Sequence, residues 1–371
     1  MRICYFGTYE KDYPRNRIVI RGLRRSGIEV VECHFPLWER REDKTGGFLS
    51  AGSLLVVALR LIRAYLVLAV RFFRAGSFDC LMVGYIGQMD IFLARFLLMF
   101  RRRPLIFNPL VSLYDTLVID RGIFRRGSIT AGLLFRIDRW SLQLADHVIL
   151  DTNAHIDYIS GLFGIDRAKF IRVFVGADED IFFPREAPER DDGSFRVLFY
   201  GKFIPLHGIH HILHAAKALE GDPTIRFRII GRGQLSGEIH ALAGKLDLKN
   251  VEFVDWVPYE KLPEEIAAAD LCLGIFGDTE KTQRVIPNKL FQALACGRQV
   301  LTLDTPAVRE LGPDRSGSLY TVFSPGDLVG VIRYLALHPS GPGMPLGGDM
   351  RRPAYACHDL VEPLTAVLGC L

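Results

Sequence analysis

An α/β protein built from two doubly wound, Rossmann-like domains is predicted by three observations. Short apolar runs alternate with helical patterns along most of the chain. The alternation is broken near residue 185 by Pro184–Ser194, PREAPERDDGS, a polar run with the composition of a linker. The 371 residues are also too many for one ordinary core. The expected domains are residues 1–185 and 186–345. In the remaining segment, 346–371, a helix near Cys357–Leu368 has no sheet of its own and is expected to pack back on the first domain.

In the first domain, strand Arg2–Phe6 runs into the Gly7–Thr8 turn, and Ile18–Ser26 reads as a helix capped by Gly27. Strand Glu29–His34 follows, then helical sequence to residue 74. Strand Asp79–Val83 ends in a loop from Gly84 to Gln88. Helix Asp90–Phe100, strand Pro104–Phe107, loop Asn108–Asp115 and helix Leu133–Ala145 come next. Strand His147–Leu150 leads to a helix capped by Asp151 or Thr152, and Lys169–Val173 closes the half.

In the second domain, strands Phe195–Tyr200, Ile225–Gly231 and Val251–Phe253 alternate with helices Ile209–Leu219, Leu235–Leu246 and Leu262–Ala269. Strand Leu271–Phe276 then enters a polar loop, Gly277–Ile286, and Pro287–Asn288 open a helix ending at Cys296–Gly297. Strand Gln299–Leu303, a short strand Leu319–Val322 and helix Pro325–Leu337 complete the half, and Pro339–Gly348 reads as a second connector.

The composition is that of an ordinary globular protein, with 49% apolar and 24% charged residues. A net charge of +4 does not argue for nucleic acid as a partner. Arginine clusters at Arg101–Arg103, Arg125–Arg126 and Arg351–Arg352 read as solvated helix ends. Seven scattered cysteines without a Cys-x-x-Cys pair point to reduced thiols, and the first strand starts without a signal peptide, so a cytoplasmic setting is expected. Leu49–Phe73 is strongly apolar but is interrupted by Arg60, Arg63 and Arg71, too often to span a bilayer. It reads as a packed amphipathic helix with an arginine face. The alternative is a peripheral contact on the inner membrane face, since a basic amphipathic helix can lie in an interface.

The stretch Trp256–Asp304 carries the chemistry. Its long loop sits where a parallel sheet delivers ligands, at the carboxyl end of a strand. The following helix starts with exposed N–H groups and a positive dipole end, with Lys289 and Arg284 beside it. A diphosphate is the natural guest.

Several motifs, in order, resemble the GT-B glycosyltransferases, in particular the retaining family 4, also called glycosyl transferases group 1. They are VFVGADEDIFFP at 173–184, YGKFIPLHGI at 200–209, IIGRGQL at 229–235, IAAADLCLGIF at 266–276 and NKLFQALACGRQVLT at 288–302. The resemblance is strongest over residues 172–303. It implies two Rossmann-like domains facing a cleft, a nucleotide-diphosphate sugar on the second domain and an acceptor hydroxyl on the first. It also implies a metal-independent transfer with no further cofactor, in which fixed cations stabilise the leaving diphosphate. The implied acceptors are a polysaccharide, a lipid-linked glycan or a small glycoside.

Carried over by motif, Gly201 and Lys202 lie at the glycine–basic loop under the diphosphate, and His207 stands where the family has a second basic residue. Gly231 and Gly233 let the backbone approach the nucleotide, Trp256 and Val257 border the base, and Pro287, Asn288 and Lys289 lie under the phosphates and sugar. The family's paired glutamates fall on Arg284 and Gln292. Gln292 can accept a ribose hydroxyl without charge assistance, and Arg284 is expected to act with Lys202 and Lys289 on the developing charge. That departure leaves two alternatives: a catalytically weak, glycosyltransferase-like binding protein, or a nucleotide-sugar epimerase on the same frame. In the first domain Gly7, Thr8, Arg15, Arg17, Gln88 and Asn108 are the acceptor candidates, with Tyr9, Asn16, Gly87, Asp115 and Asn153 also after strands. His207, His210, His211 and His214 fall at one-turn spacing, but without an evident carboxylate partner they read as a helix face and not a metal site.

Overall fold

The computed structural model describes residues 1–37, 51–188, 192–312, 317–338 and 357–369. The connector Pro339–Gly348, the pair Arg351–Arg352 and the middle of the Pro184–Ser194 run lie outside the described residues. The chain divides into two compact units, Met1–Phe174 with Cys357–Leu371, and Val175–Ala356.

The first unit carries β1 (Arg2–Gly7), α1 (Pro14–Arg25), β2 (Glu29–His34), α2 (Ala51–Arg74), β3 (Cys80–Val83) and α3 (Asp90–Leu98). Then come β4 (Leu105–Phe107), α4 (Ile129–Leu144), β5 (His147–Leu150), α5 (Asn153–Phe163) and β6 (Phe170–Arg172). Its six strands are parallel, in the order β2-β1-β3-β4-β5-β6. The strands are apolar runs because both faces are covered. Leu81, Val83 and Phe107 point into one core with Leu68 and Phe72 of α2, and Ile3, Tyr5 and Met82 into the other with Val19 and Leu23 of α1.

Helix α1 begins at Pro14, a turn before the expected start at Ile18. Proline at the first helical position has its φ already set and loses no hydrogen bond. Arg15, Asn16 and Arg17 are therefore helical residues and not loop residues. Ser128 likewise starts α4 early by accepting from the Ala131 N–H at 3.2 Å. A single turn of π-helix, Asp115–Asp120, follows the loop after β4.

The second unit carries β7 (Phe195–Tyr200), α6 (Ile209–Ala218), β8 (Ile225–Ile230), α7 (Ser236–Leu246), β9 (Val251–Val254) and α8 (Leu262–Ala267). These precede β10 (Leu271–Leu273), α9 (Asn288–Ala295), β11 (Gln299–Leu303), α10 (Pro306–Arg309), β12 (Leu319–Val322) and α11 (Leu328–Leu337). The parallel order is β12-β11-β10-β7-β8-β9. The strand order reverses between β7 and β10, so the crevice at their carboxyl ends is the topological switch point of this sheet. The final helix, α12 (Cys357–Leu368), belongs to the first unit. Val361, Leu364 and Leu368 make one apolar stripe that packs among Val19, Leu23 and Val173.

Helix α2 packs by Ala64, Leu68 and Phe72, which are fully buried. The expected arginine face is present, with Arg60, Arg63 and Arg74 exposed, but it is not the whole of the exposed side. Large apolar side chains stand exposed there among the arginines. Among the described residues no helix is long and apolar enough to cross a membrane.

Candidate active site

In the second unit three glycines let backbones meet at the switch point. Gly201, just after β7, has φ +145° and its N–H donates to the Ile230 carbonyl at 2.9 Å. Gly231, just after β8, has φ +146°, and a Cβ there would fall 1.9 Å from the Gly201 carbonyl oxygen. At Gly233 a Cβ would sit 2.7 Å from the Phe203 backbone. The loop after β10 is locked to the turn before α6, because the Phe276 N–H donates to His207 O and the Gly277 N–H to Leu206 O, both at 3.2 Å.

These contacts gather His207 and Lys289 onto Gly201. A Cβ at Gly201 would lie 3.0 Å from Lys289 Nζ and 3.2 Å from His207 Cε1. Lys289 lies in the first turn of α9, and that helix has no side-chain cap. Its N-terminal N–H groups therefore face outward with the positive end of the dipole. The buried Tyr200 hydroxyl donates to the Lys289 carbonyl at 3.0 Å and fixes the helix start.

The Lys289 side chain is only 6% exposed, and Nζ has no hydrogen-bond acceptor. It stands 3.8 Å over the Phe199 ring, a cation–π contact that no carboxylate supplements. Burial pushes its pKa well below the ordinary lysine value. An amino group held in this way has no anion beside it among the described residues, and an anion brought there would favour its charged form.

His207 is buried beside it. Its Nδ1 lies 2.5 Å from the Lys202 carbonyl, which can only accept, so the proton sits on Nδ1 and Nε2 keeps its lone pair. Burial first, and the Lys289 charge second, push its pKa well below the usual histidine value. His207 is therefore a neutral brace for the Lys202 loop and does not supply the second cation its motif position suggests.

Arg284 and Gln292 are both buried. The Arg284 guanidinium lies 3.9 Å from the exposed Glu280 carboxylate, and Gln292 Nε2 donates to the Tyr259 hydroxyl at 3.4 Å. Lys281, which the sequence did not single out, is buried in the same loop as Arg284. Trp256, 65% exposed, and the half-buried Val257 follow β9. His210 and His211 do have a carboxylate partner, contrary to expectation. Asp278 Oδ2, from the loop after β10, is 3.1 Å from His211 Nε2 and 3.9 Å from His210 Nε2. The three ligating atoms lie within 4.8 Å of one another. Sixty-seven positions separate His211 from Asp278, a span over which spacing in the chain carries no signal.

A cavity of about 520 Å³ opens at the opposite, amino-terminal ends of β7 and β8, lined by Arg196, Arg228 and Glu265. Two of its arginines are paired, Arg228 with Glu265 at 2.7 Å and Arg196 with Asp192 at 2.9 Å.

In the first unit most acceptor candidates are engaged internally. A Cβ at Gly7 would fall 2.6 Å from Asp90 Oδ2. The Thr8 N–H and hydroxyl both donate to that oxygen, at 2.6 and 2.9 Å. Arg15 is 1% exposed and donates to Asn108 Oδ1 at 3.0 Å and to the Val173 and Phe174 carbonyls at 2.8 and 2.9 Å. Burial lowers its pKa to about 10. Asn16 takes the Tyr5 hydroxyl and Tyr85 N–H at 2.9 Å each, and Gln88 donates to Val111 O at 2.8 Å. Arg17 is half-buried in the first turn of α1.

Asp151 and His155 form a pair that the sequence reading missed. His155 Nδ1 lies 2.6 Å from Asp151 Oδ1, and the buried Nε2 has no partner. The usable signal was the i,i+4 spacing directly after β5. Thr152, and not Asp151, caps α5, accepting from the His155 N–H at 3.0 Å.

Two six-stranded parallel Rossmann-like sheets, the second with a lysine and an uncapped helix start at its switch point, define a two-unit α/β protein. Residues 194–337 match the family model described as Glycosyl transferases group 1. Over 137 residues the chain is 32% identical to chitobiosyldiphosphodolichol beta-mannosyltransferase of Candida albicans, and over 136 residues 27% identical to the putative colanic acid biosynthesis glycosyl transferase WcaI of Escherichia coli. These alignments take in 35% and 37% of this chain and only 30% and 33% of the relatives' length. Among solved structures, HepE of Anabaena with UDP-glucose superposes over 100% of both chains, with TM-score 0.62 and 15% identity. The lipopolysaccharide outer core galactosyltransferase WaaB does so with TM-score 0.62 and 16% identity. The fold is that of the GT-B glycosyltransferases.

Proposed function

We propose that the chain is a glycosyltransferase that moves a sugar from a nucleotide-diphosphate donor to an acceptor hydroxyl, with its anomeric configuration kept. The bond from the anomeric carbon to the β-phosphate oxygen breaks, and the acceptor oxygen bonds to that carbon. The nucleoside diphosphate leaves with the electron pair, and the acceptor proton goes to base or solvent. The observation that supports this most is the buried Lys289 ammonium, without an acceptor, at the uncapped start of α9. Charge placed there before the reaction stabilises the diphosphate as it forms, with no reorganisation at the moment of bond breaking. Lys202, Arg284 and Lys281 add cations on the loops around it. This fixed charge supports a transfer without a resident metal or other cofactor.

Gly201, Gly231 and Gly233 would face the nucleotide, Trp256 and Val257 the base, and Pro287, Asn288 and Gln292 the sugar and ribose. The relatives are named for chitobiosyldiphosphodolichol and for colanic acid biosynthesis. An acceptor of polysaccharide, lipid-linked glycan or small glycoside class on the cytoplasmic side is accordingly our reading.

The neutral His207 and the Arg284/Gln292 pair favour a second reading, a binding protein that holds nucleotide sugar without turnover. Incubation with a panel of nucleotide sugars and glycan acceptors separates the two. Nucleoside diphosphate release with product of unchanged anomeric configuration supports the transferase. Saturable binding without release supports the binding protein. Conversion of the donor to an epimer would replace both.

A further inference from the structure

Helix α2 has two apolar faces. One, Ala64, Leu68 and Phe72, is buried against the sheet. The other carries Leu59, Ile62, Leu66, Val70 and Phe73, each at least half exposed, with Leu66 at 65%. At 100° per residue these five fall within an arc of about 80°, a stripe about 21 Å long. Phe100 extends it onto the turn after α3. Its ring centroid is 6.1 Å from that of Phe73 and 5.8 Å from that of Phe96, and it is 63% exposed.

Charge borders this surface on one side. Arg60, Arg63 and Arg74 are exposed along one edge of the stripe, and α2 contains no acidic residue. Beyond Phe100, Arg102 and Arg103 line a concavity with Met99 and Pro104. The one carboxylate there, Asp146, is paired with Arg95 at 3.3 Å. Arg71 and Arg101 are held inward: Arg71 donates to the His34 carbonyl, and Arg101 donates to the Phe73 carbonyl at 3.0 Å.

We propose that this face of the first unit lies flat on an anionic lipid bilayer, with the stripe and Phe100 at the acyl boundary and the arginines on the headgroups. An exposed apolar patch of this length marks an interaction surface. A convex helix face edged with arginines offers no groove for a peptide. A dimer through the stripe would cover the apolar side chains but offer the arginines no acidic partner from α2, which has none. An anionic membrane answers both features, since the acyl layer takes the apolar side chains and the headgroups take the cations. The stripe is parallel to the surface because α2 is too interrupted by charge to cross it. The inference rests on the first unit alone and stands whether or not the second unit turns over a sugar donor.

Vesicle flotation of the full chain tests it, using phosphatidylcholine alone and phosphatidylcholine with an equal share of phosphatidylglycerol. The chain should float with the anionic vesicles and stay behind with the neutral ones, and added salt should weaken the association. The double variant Leu66→Asp/Phe100→Asp and the variant Arg60→Glu/Arg63→Glu should each partition about tenfold less. UDP or GDP binding and the circular-dichroism melt report whether each variant is folded. Failure of the wild type to float with anionic vesicles overturns the proposal. So does undiminished flotation of the folded variants, or a dimer in sedimentation that Leu66→Asp dissolves.

Discussion

The carboxyl ends of the two sheets share an architecture and differ in how their polar groups are satisfied. In the first unit Asp90 takes three hydrogen bonds from Thr8, and Arg15 is shared among Asn108 and two carbonyls. In the second unit Lys289 Nζ has an aromatic face on one side and no acceptor on any other. A buried charge costs several kcal/mol unless it is compensated. The first set is largely bonded within the fold, although Arg15 Nη2 and Asn108 Nδ2 keep no partner there. The second has no acceptor within the fold among the described residues, and the proposed diphosphate would supply one. Charged residues at strand ends are therefore not equivalent evidence for a site.

The comparison can be broken with four substitutions. Gly231→Ala should have the largest effect, since φ +146° and a Cβ 1.9 Å from Gly201 O must both be relieved. A loss of about 4 kcal/mol in urea unfolding of the second unit is expected, and a loss below 1 kcal/mol would mean the two loops are not apposed. Arg15→Met should cost about 3 kcal/mol by leaving two carbonyls and Asn108 unsatisfied. Nucleotide binding should be unchanged, and a selective loss of binding would return Arg15 to the list of ligand contacts.

Asp90 makes the comparison pH-dependent. Burial raises its carboxyl from 3.8 to about 6, against the pull of the Thr8 hydrogen bonds. Between those values the folded protein holds a proton that the unfolded chain has lost, so stability falls as pH rises from about 4 to about 6. Asp90→Asn should remove about 2 kcal/mol of that fall. The parallel contribution of Asp138, also raised to about 6, should remain. A slope identical to wild type in thermal melts across this range would contradict the assignment. The smallest effect is the most diagnostic in sign. Lys289→Met, measured without nucleotide, should raise unfolding stability by about 1 kcal/mol, because it removes a buried amino group that has no acceptor. A destabilised variant would show that the ammonium is satisfied within the fold.

The two-sheet architecture was legible because buried parallel strands are continuous apolar runs, and Pro287–Asn288 announced α9 through proline chemistry at a helix start. The loops of Gly201 and Gly231 were legible only as motifs of the resemblance, and the contact of Gly201 with Lys289 was not legible at all. What could not be read was pairing across the chain. Asp278 with His211, Asp90 with Thr8 and Arg15 with the Val173 carbonyl are each contacts between distant segments. The second apolar face of α2 was hidden for another reason. Leucines on opposite sides of one helix are identical in sequence, and only packing separates Leu68, buried, from Leu66, exposed. The neutral state of His207 likewise follows from burial and the Lys202 carbonyl, neither of which a motif position conveys.

The central claim is that Lys289 is held without its anion until a nucleotide diphosphate supplies one. Isothermal titration of UDP and of GDP into the full chain and into its Lys289→Ala variant tests this most directly. The account predicts that one of the two nucleotides binds the wild type and binds the variant about thirtyfold more weakly, a difference of about 2 kcal/mol. Equal affinity of wild type and variant, or no binding of either nucleotide to the wild type, would contradict it.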